Sequence, residues 1–360
     1  MYSSQYMKIV KEIGEGKTCD QICNSLNISR KQLYYYMQML KNDGIDFGRK
    51  YYSDGSVMYE PIRKLRDLKA EKNQINLITP VGSTTESFLV ISDTHFGNEK
   101  ERLDLINRAY NFAIKHGIHI IFICGDLLDG TYTLGVKDRR IEETFAQIEH
   151  FIKDYPYDKS VINIAVLGDH DYSIMNNHQI NLKEVINSKR HDIAVGGFNN
   201  VTVGIKNDSI LLYHHLAGGA INPFYSPVML KGHSHDYSIT HRDEGTLDIS
   251  VPSLSDIKDV HPSALYLEVE FKEGYIVEAD VKQVLFLDKD YVVSNYRHIF
   301  NRTNCEKISP IMNEENMFKY EADKEIEQKA PYSVDIGVAR QKKRRAVNNG
   351  WWNCWFNRFL

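Results

Sequence analysis

Apolar runs of strand length recur through the middle of the chain, and a short polar cluster follows each of the first three. Near-continuous apolar runs that alternate with helical patterns indicate strands buried on both faces, as in layered α/β proteins. The last two runs, separated by Lys272-Glu273-Gly274, predict a closing β-hairpin. The predicted strands cover residues 88–91, 118–124, 161–167, 210–213, 263–271 and 275–285. We therefore predict an α/β fold, a layered β-sandwich flanked by helices, over residues 86–287.

The first 60 residues show a helical pattern with clear start signals. A first amphipathic helix is predicted to end at Gly14, where glycines interrupt the apolar spacing. Thr18 with Gln21, and Ser29 with Gln32, have the spacing of capping boxes, in which each side chain bonds the other residue's backbone N–H. Two further helices are therefore predicted, separated by a tight turn.

A hairpin pattern follows these helices over residues 49–59, where aromatic and β-branched residues flank Asp54-Gly55. Helices and hairpin together predict a winged helix-turn-helix over residues 1–60. Its third helix would then present four side chains to phosphates and base edges. These candidate nucleic-acid contacts are Arg30, Lys31, Gln32 and Tyr35. The alternative is a small module for protein interaction or assembly.

Two segments show weaker patterns. Residues 61–85 are a charged helical stretch followed by Pro80-Val81-Gly82, which indicates a linker. Residues 288–360 are polar and have few apolar runs, which predicts a disordered tail. This tail ends in a basic run, 340–345, and an aromatic run, 351–356. Such an end could also tether the protein to nucleic acid or to an anionic membrane surface.

Composition sets limits on the class of protein. With 360 residues, 42% of them hydrophobic, the chain is long enough for about two domains. Lys and Arg number 44 against 48 Asp and Glu, so global charge gives no evidence for nucleic-acid binding. The five cysteines are scattered, as in a reducing cytoplasm. We find no signal-peptide pattern near Met1 and no apolar run that predicts membrane insertion, so a cytoplasmic protein is expected. Protein partners and oligomeric state are not indicated by the sequence.

Five short clusters carry the candidate chemistry, and three of them directly follow predicted strands. All of them supply carboxylates or imidazoles. The clusters are Asp93-Thr94-His95, Gly125-Asp126-Leu127-Leu128-Asp129, Gly168-Asp169-His170-Asp171, His214-His215 and Gly232-His233-Ser234-His235. In Asp93-Thr94-His95 we expect an extended strand end, so that both outer side chains point the same way. Taken together, the clusters predict two adjacent divalent metals and hydrolysis of a phosphate ester.

This ordered set resembles the calcineurin-like metallophosphoesterase superfamily, and the resemblance covers about residues 86–285. The opening Ile91-Ser92-Asp93-Thr94-His95-Phe96-Gly97 is also similar to that of phage-type phosphoesterases and double-strand-break-repair exonucleases in the superfamily.

The resemblance implies a role for each motif residue. Asp93, His95 and His235 would hold one metal, and Asp126 would bridge. The second metal would be held by Asp169, His233 and one of His214 or His215. Manganese is expected, with iron, zinc or nickel as alternatives, and a hydroxide between the ions would attack phosphorus in line. His170 would stabilise or protonate the leaving oxygen, with Asp171 holding its ring.

Two positions depart from the family pattern or leave it open. Asp169 stands where the family has asparagine, which keeps an oxygen ligand but adds a negative charge. In the His214-His215 pair, aligning Gly218-Gly219 with the glycines of phage-type members favours His215, whereas other members with such a pair use the first histidine.

Three functional hypotheses follow. The first is a phosphodiesterase or nuclease acting on nucleic acid. The second is a phosphodiesterase or phosphatase of a small nucleotide or phosphomonoester, with the first 60 residues used for assembly. The third is a DNA-binding regulator whose phosphoesterase site has degenerated at Asp169.

Overall fold

The computed structural model describes residues 4–42, 45, 47–61, 73–131, 141–214, 226–241, 245–258, 261–286 and 290–300. All of them belong to one unit, Met1–Thr303. The helices are α1 (Ser4–Gly14), α2 (Cys19–Leu26), α3 (Arg30–Asn42), α4 (Leu103–Lys115), α5 (Ile141–Asp154), α6 (Asp169–His178) and α7 (Leu182–Lys189). The strands are β1 (Phe47–Tyr52), β2 (Val57–Pro61), β3 (Gln74–Ile78), β4 (Thr85–Ile91), β5 (Ile120–Cys124), β6 (Ile162–Leu167), β7 (Ile193–Phe198), β8 (Asn200–Ile205), β9 (Asp208–Tyr213), β10 (Val228–His235), β11 (Ser238–His241), β12 (Leu247–Pro252), β13 (Ser263–Lys272), β14 (Tyr275–Phe286) and β15 (Asp290–Ile299). The basic and aromatic runs at the end of the chain lie outside the described residues.

Two mixed sheets organise these strands. One has eight strands in the order β11-β12-β10-β9-β8-β3-β1-β2, and the other has seven in the order β15-β14-β13-β4-β5-β6-β7. In the seven-stranded sheet, β4 to β7 run parallel, as expected for strands joined through helices. The predicted closing hairpin is confirmed as the antiparallel pair β13–β14. The α/β class predicted from the sequence is likewise confirmed.

The central strands are buried on both faces, as their apolar runs predict. In β4, Phe88 and Val90 pack into the core between the two sheets. Leu89 and Ile91 point the other way and pack against a second core that includes Leu105 of α4. Each fully buried side chain of this size contributes ~1.5 to 3 kcal/mol relative to exposure. The two cores therefore hold the ends of these strands in fixed positions.

Both predicted capping boxes are present at the starts of the second and third helices. The Thr18 N–H donates to Gln21 Oε1 at 2.9 Å, and the Gln21 N–H donates back to Thr18 Oγ1 at 3.4 Å. The Ser29 N–H donates to Gln32 Oε1 at 2.8 Å in the same way. Among the described residues, no helix is both long and apolar enough to cross a bilayer.

The hairpin β1–β2 is confirmed, but it is not separate from the rest of the fold. Its strand β1 pairs in parallel with β3, and β3 pairs in parallel with β8. We did not predict β3, which lies inside the supposed linker 61–85. It has only five residues, Gln-Ile-Asn-Leu-Ile, without a strict alternation, and its partners β1 and β8 are distant in sequence, so the local pattern gave too little information. The amino-terminal elements thus extend the eight-stranded sheet.

The sequence analysis also missed β7, β8, β10, β11 and β12, and, towards the other end of the chain, β15. β15 falls within the predicted tail and pairs antiparallel with β14 over the length of the strand. It is an edge strand that depends on β14 for its ladder, and such pairing is not visible in local periodicity. The folded region therefore extends beyond residue 287.

The third helix packs one face against the phosphoesterase-like part of the chain. The Tyr34 ring stacks on the His191 ring with 3.9 Å between centroids, and Tyr59 Oη lies 2.7 Å from His191 Nδ1. Arg30 forms a bidentate ion pair with Asp20 and is only 13% exposed, so the prediction that it points outward is wrong. The other three predicted contacts, Lys31, Gln32 and Tyr35, are exposed.

A glycine substitution tests whether the hairpin turn rests on the loop before β6. Gly55 has φ +78°, and a Cβ there would lie 2.2 Å from the Ser160 carbonyl oxygen; Gly82 has φ +85° and open space around it. We expect Gly82→Ala to lower the free energy of unfolding by about 1 kcal/mol through backbone strain alone. Gly55→Ala should lower it by roughly 2 to 4 kcal/mol, because strain and clash combine. Equilibrium urea unfolding measures both, and equal losses would contradict this packing.

Candidate metal centre

The candidate residues meet because their strands end at the same edge of the fold. Asp93 follows β4, Asp126 follows β5, and Asp169 begins α6 after β6. Parallel strands bring their carboxyl ends together, and α/β proteins place their sites there. From the eight-stranded sheet, His214 follows β9 and His233 lies near the end of β10. Both sheets therefore contribute to one cluster.

The backbone of this cluster is left-handed at five non-glycine positions. Their φ angles are 53° at Asp93, 45° at His95, 51° at Asp126, 75° at His233 and 65° at His235. The predicted extended alternation at Asp93 and His95 is therefore wrong, since β4 has already ended at Ile91. Each such residue costs roughly 1 to 3 kcal/mol and persists only where the surroundings enforce it. The directions of these side chains are therefore set by left-handed backbone conformations and not by the alternation of an extended strand.

One group of side chains comprises Asp93, His95 and His235, with ligand atoms within 4.8 Å of one another. His235 Nε2 lies 3.3 Å from Asp93 Oδ1, and His95 Nε2 lies 4.0 Å from it. Within the described part of the chain, neither ring nitrogen of His95 has a hydrogen-bond partner, although both are buried. A buried imidazole with no partner fits a site in which a cation completes its bonding.

The second group comprises Asp126, Asp169, His214 and His233. His214 Nε2 lies 3.1 Å from Asp126 Oδ2 and 3.1 Å from Asp169 Oδ1, and His233 Nδ1 is also 3.1 Å from Asp169 Oδ1. His214 Nδ1 is 2.7 Å from the Cys124 carbonyl oxygen, which fixes the ring so that Nε2 faces the carboxylates. His214 is thus the member of the pair found in the cluster, and the favoured His215 lies outside the described residues.

Asp126 lies between the two groups. Its Oδ2 is 3.1 Å from His214 Nε2 in the second group and 3.9 Å from His95 Nε2 in the first. Its Oδ1 accepts a hydrogen bond from the His170 N–H at 3.0 Å. A carboxylate in this position has the geometry of a bridge between two cations.

The local electrostatics favour metal-binding protonation states for Asp93, Asp169 and His95. They do not do so for His214, where burial lowers the pKa but Asp126 and Asp169 outweigh it and raise the pKa well above its usual value. Burial raises the pKa of Asp93, but His235, His214 and His95 outweigh it and hold that pKa below its usual range. Contacts with His214 and His233 similarly lower the pKa of Asp169 against the effect of burial. Burial lowers the pKa of His95 to about 4. Ionised carboxylates and a neutral imidazole are the forms that bind divalent ions.

The donor set fits a pair of divalent ions. Three buried carboxylates surrounded by imidazoles carry net negative charge when the imidazoles are neutral, and such charge is strongly unfavourable without a cation. Mixed oxygen and imidazole ligands suit manganese, iron, zinc or nickel. The candidate ligands are Asp93, His95, Asp126, Asp169, His214, His233 and His235.

Glycine is required where two of the motif backbones approach this cluster. A Cβ on Gly168 would lie 2.1 Å from Asp126 Oδ1, and one on Gly232 would lie 2.6 Å from His214 Nδ1. Any side chain there would displace a candidate ligand. The glycines of the Gly168-Asp169 and Gly232-His233 motifs therefore allow close approach.

The residue that holds His170 was assigned incorrectly from the sequence. Asp171 accepts hydrogen bonds from the backbone N–H groups of Leu127, Leu128 and Gly168 at 2.9 to 3.1 Å. Burial and the neighbouring charge of Asp126 raise the pKa of Asp171 to about 7. Asp171 thus fastens the loop after β5 to the start of α6, and its predicted role of holding the His170 ring is wrong.

Asp129 occupies the position that we expected for Asp171. Its backbone carbonyl oxygen is 2.7 Å from His170 Nδ1, and its carboxylate accepts from Asn98 Nδ2 at 2.8 Å. His170 itself forms a third, overlapping group with His95 and Asp126. The spacing Gly-Asp-x-x-Asp could have drawn attention to Asp129, but only the fold shows that its main chain is used.

We compared the sequence with models of known protein families. The calcineurin-like phosphoesterase family model matches residues 87–285. The chain therefore belongs to the calcineurin-like phosphoesterase family. It is a metal-dependent hydrolase of phosphate esters.

Solved structures with related folds share little sequence with this chain. Vps29 from Chaetomium thermophilum is 11% identical, with a TM-score of 0.36, over 59% of this chain and 97% of that one. A dimetal phosphatase from Danio rerio is 11% identical, with a TM-score of 0.35, over 61% and 100%. The nuclease MPE from Pseudomonas putida is 16% identical, with a TM-score of 0.29, over 55% and 84%. No curated protein matches the chain. These similarities do not indicate a substrate.

Calorimetric titration with Mn²⁺ tests the two-ion assignment. We expect the wild-type protein to bind two ions, because the candidate ligands form two groups, and Asp126 of the second group lies 3.9 Å from His95 of the first. His235→Ala and His214→Ala should each weaken one ion by at least ~100-fold, since even residues behind a ligand contribute 10- to 100-fold. His241→Ala, an exposed histidine on β11, should leave both ions unchanged. Binding of two ions by both His235→Ala and His214→Ala at wild-type affinity would overturn the assignment.

Proposed function

We propose that this protein is a phosphodiesterase that cleaves nucleic acid at the cluster around Asp126. The observation that carries the hydrolytic part is the proximity of two candidate ligand groups, since Asp126 Oδ2 lies 3.1 Å from His214 in one group and 3.9 Å from His95 in the other. The nucleic-acid part is supported by the three helices and hairpin at the amino terminus, with Lys31, Gln32 and Tyr35 exposed on α3. A lysine can neutralise a phosphate, and a tyrosine can stack on a base.

Different residues of the chain would bind the metal ions and donate the proton to the leaving group. Two divalent ions held by Asp93, Asp126 and Asp169 and their histidines would supply an activated water and neutralise the phosphoryl oxygens. His170, about a quarter exposed at the cluster, is placed to give a proton to the leaving oxygen. Its Nδ1 faces the Asp129 carbonyl oxygen, so a transferred proton leaves from Nε2.

The third helix lies near the amino-terminal ends of strands in the seven-stranded sheet. The candidate metal ligands lie near the carboxyl-terminal ends of its strands. Arg30 of α3 contacts Tyr157, and Tyr34 contacts His191. Tyr157 precedes β6 and His191 precedes β7, whereas Asp169 follows β6. The six residues of β6 alone span ~20 Å. A substrate that touches both α3 and the metal ligands must therefore be longer than about six base pairs.

This arrangement changes how the amino-terminal region should be tested. A deletion of the first 84 residues would remove β1, β2 and β3 from the eight-stranded sheet, exposing the edge of β8. Loss of activity in such a deletion would report unfolding as readily as loss of substrate contact. Substitutions on the exposed face of α3 avoid this problem.

We expect a double substitution, Lys31→Ala with Tyr35→Ala, to raise KM for a 30-base-pair duplex about tenfold or more; Gln32 is left in place because its side chain caps the start of α3. Stacking of one base on an aromatic ring alone contributes ~1 to 3 kcal/mol. KM for bis-p-nitrophenyl phosphate should not change, because that ester is too small to reach α3. Steady-state kinetics with Mn²⁺ measures both, and Lys8→Ala on α1 serves as the control exposed lysine.

The other hypotheses predict different results in the same experiment. A small-ester phosphodiesterase or phosphatase would hydrolyse a cyclic nucleotide or a phosphomonoester well, and the double substitution would have no effect on any substrate. A regulator with a degenerate site would bind Mn²⁺ but hydrolyse none of these esters. Asp126→Asn should abolish all hydrolysis if the cluster is the catalytic site.

A further inference from the structure

Gln147 is a buried polar residue of α5 that makes two hydrogen bonds to one backbone residue. It is 7% exposed. The Gly130 N–H donates to Gln147 Oε1 at 2.9 Å, and Gln147 Nε2 donates to the Gly130 carbonyl oxygen at 3.3 Å. Because the amide is planar and both ends are engaged, the position of Gly130 is fixed relative to α5.

Gly130 in turn packs closely against the backbone of His170. It has φ +64°, and a Cβ there would lie 2.1 Å from the His170 carbonyl oxygen. The preceding residue, Asp129, supplies the carbonyl oxygen that lies 2.7 Å from His170 Nδ1. The following residue, Thr131, donates its N–H to Ser173 Oγ, which itself donates to the His170 carbonyl oxygen. The segment 129–131 therefore forms the support for the His170 ring and backbone.

The aliphatic part of Gln147 contacts a second loop of the site. Gly97 has φ +87°, and a Cβ there would lie 2.4 Å from Gln147 Cγ. Gly97 follows the Asp93-Thr94-His95 motif, and the neighbouring Asn98 donates to the Asp129 carboxylate at 2.8 Å. Gln147 thus lies between the loop that carries His95 and the loop that carries Asp129.

We propose that Gln147 is a positioning residue that acts through Gly130 and Asp129 to set the angle of the His170 ring. This proposal rests on the proposed function, in which His170 protonates the leaving oxygen. As the bond between phosphorus and that oxygen breaks, the oxygen takes the proton from Nε2, and the ring keeps its Nδ1 proton toward Asp129. Solvent then returns a proton to Nε2. General acids of this kind accelerate cleavage by ~100- to 10,000-fold, and only when correctly aimed.

The test separates positioning from general packing by varying the leaving group. Gln147→Leu keeps most of the volume and loses both hydrogen bonds. We expect its kcat to fall ~10- to 100-fold for methyl phenyl phosphate, whose leaving oxygen needs a proton, and less than ~3-fold for methyl p-nitrophenyl phosphate, whose leaving oxygen does not. KM should stay unchanged for both. Equal losses on the two esters would overturn the proposal.

A second variant covers the case in which Gln147→Leu does not fold, and a control variant tests the effect of changing another buried residue of α5. Gln147→Glu has the same shape and keeps an acceptor for the Gly130 N–H, so its loss on methyl phenyl phosphate should lie between those of wild type and Gln147→Leu. If Gln147→Leu does not fold, this variant decides the question. Thr144→Val is the control, because Thr144 is equally buried on α5 and its hydroxyl has no hydrogen-bond partner among the described residues. It should match wild type on both esters.

A readout that needs no turnover distinguishes failure of this proposal from failure of the proposed function. In the metal-free protein, long-range ¹H–¹⁵N spectra report which His170 nitrogen carries the proton. At a pH high enough for the His170 ring to be neutral, we expect Nδ1–H alone in wild type and a mixture of tautomers in Gln147→Leu, with faster hydrogen exchange at the Gly130 amide. An unchanged tautomer in Gln147→Leu would overturn the positioning role. Absence of ester hydrolysis by the wild type, with the tautomer change present, would instead reject the proposed function.

Discussion

Three buried carboxylates that meet at the ends of strands are the constraint on which the rest of the structure depends. Asp93, Asp126 and Asp169 are each no more than 6% exposed, yet their contacts keep the pKa values of Asp93 and Asp169 low. Such charge is tolerated only where cations offset it. The four imidazoles around them are candidate ligands for such cations. The two divalent ions implied by the family would offset the charge gathered at these strand ends.

The fold provides the rigidity that this centre requires. Five ligand positions adopt left-handed backbone conformations, which are unfavourable unless tightly packed surroundings impose them. The packing comes from strands buried on both faces and from polar residues behind the site. Asp171 binds three backbone N–H groups, and Gln147 binds both polar groups of Gly130. The backbone strain is concentrated at the candidate ligands. The hydrogen bonds of Asp171 and Gln147 help to maintain these backbone conformations.

The sequence predicted much of the fold and the composition of the site, but less of its geometry. Apolar runs and motif spacing identified β4 to β6 and the residues that meet at their ends. They missed seven strands, β3, β7, β8, β10, β11, β12 and β15. The pairing of β3 depends on strands distant in sequence, and β15 is an edge strand within a largely polar segment. Asp171 was given the role of Asp129 because side-chain chemistry is visible in a sequence and a main-chain carbonyl contact is not. Arg30 was expected to face outward, since its partner Asp20 belongs to another helix.

Crystallography with anomalous scattering at the manganese edge tests the central claim most directly. Crystals grown with Mn²⁺ should show two anomalous peaks ~3.5 to 4 Å apart, the separation expected for a two-metal site. Both peaks should lie within bonding distance of the Asp126 carboxylate, one beside His95 and His235 and the other beside His214 and His233. A single peak at saturating Mn²⁺, or two peaks that do not share Asp126, would contradict the account.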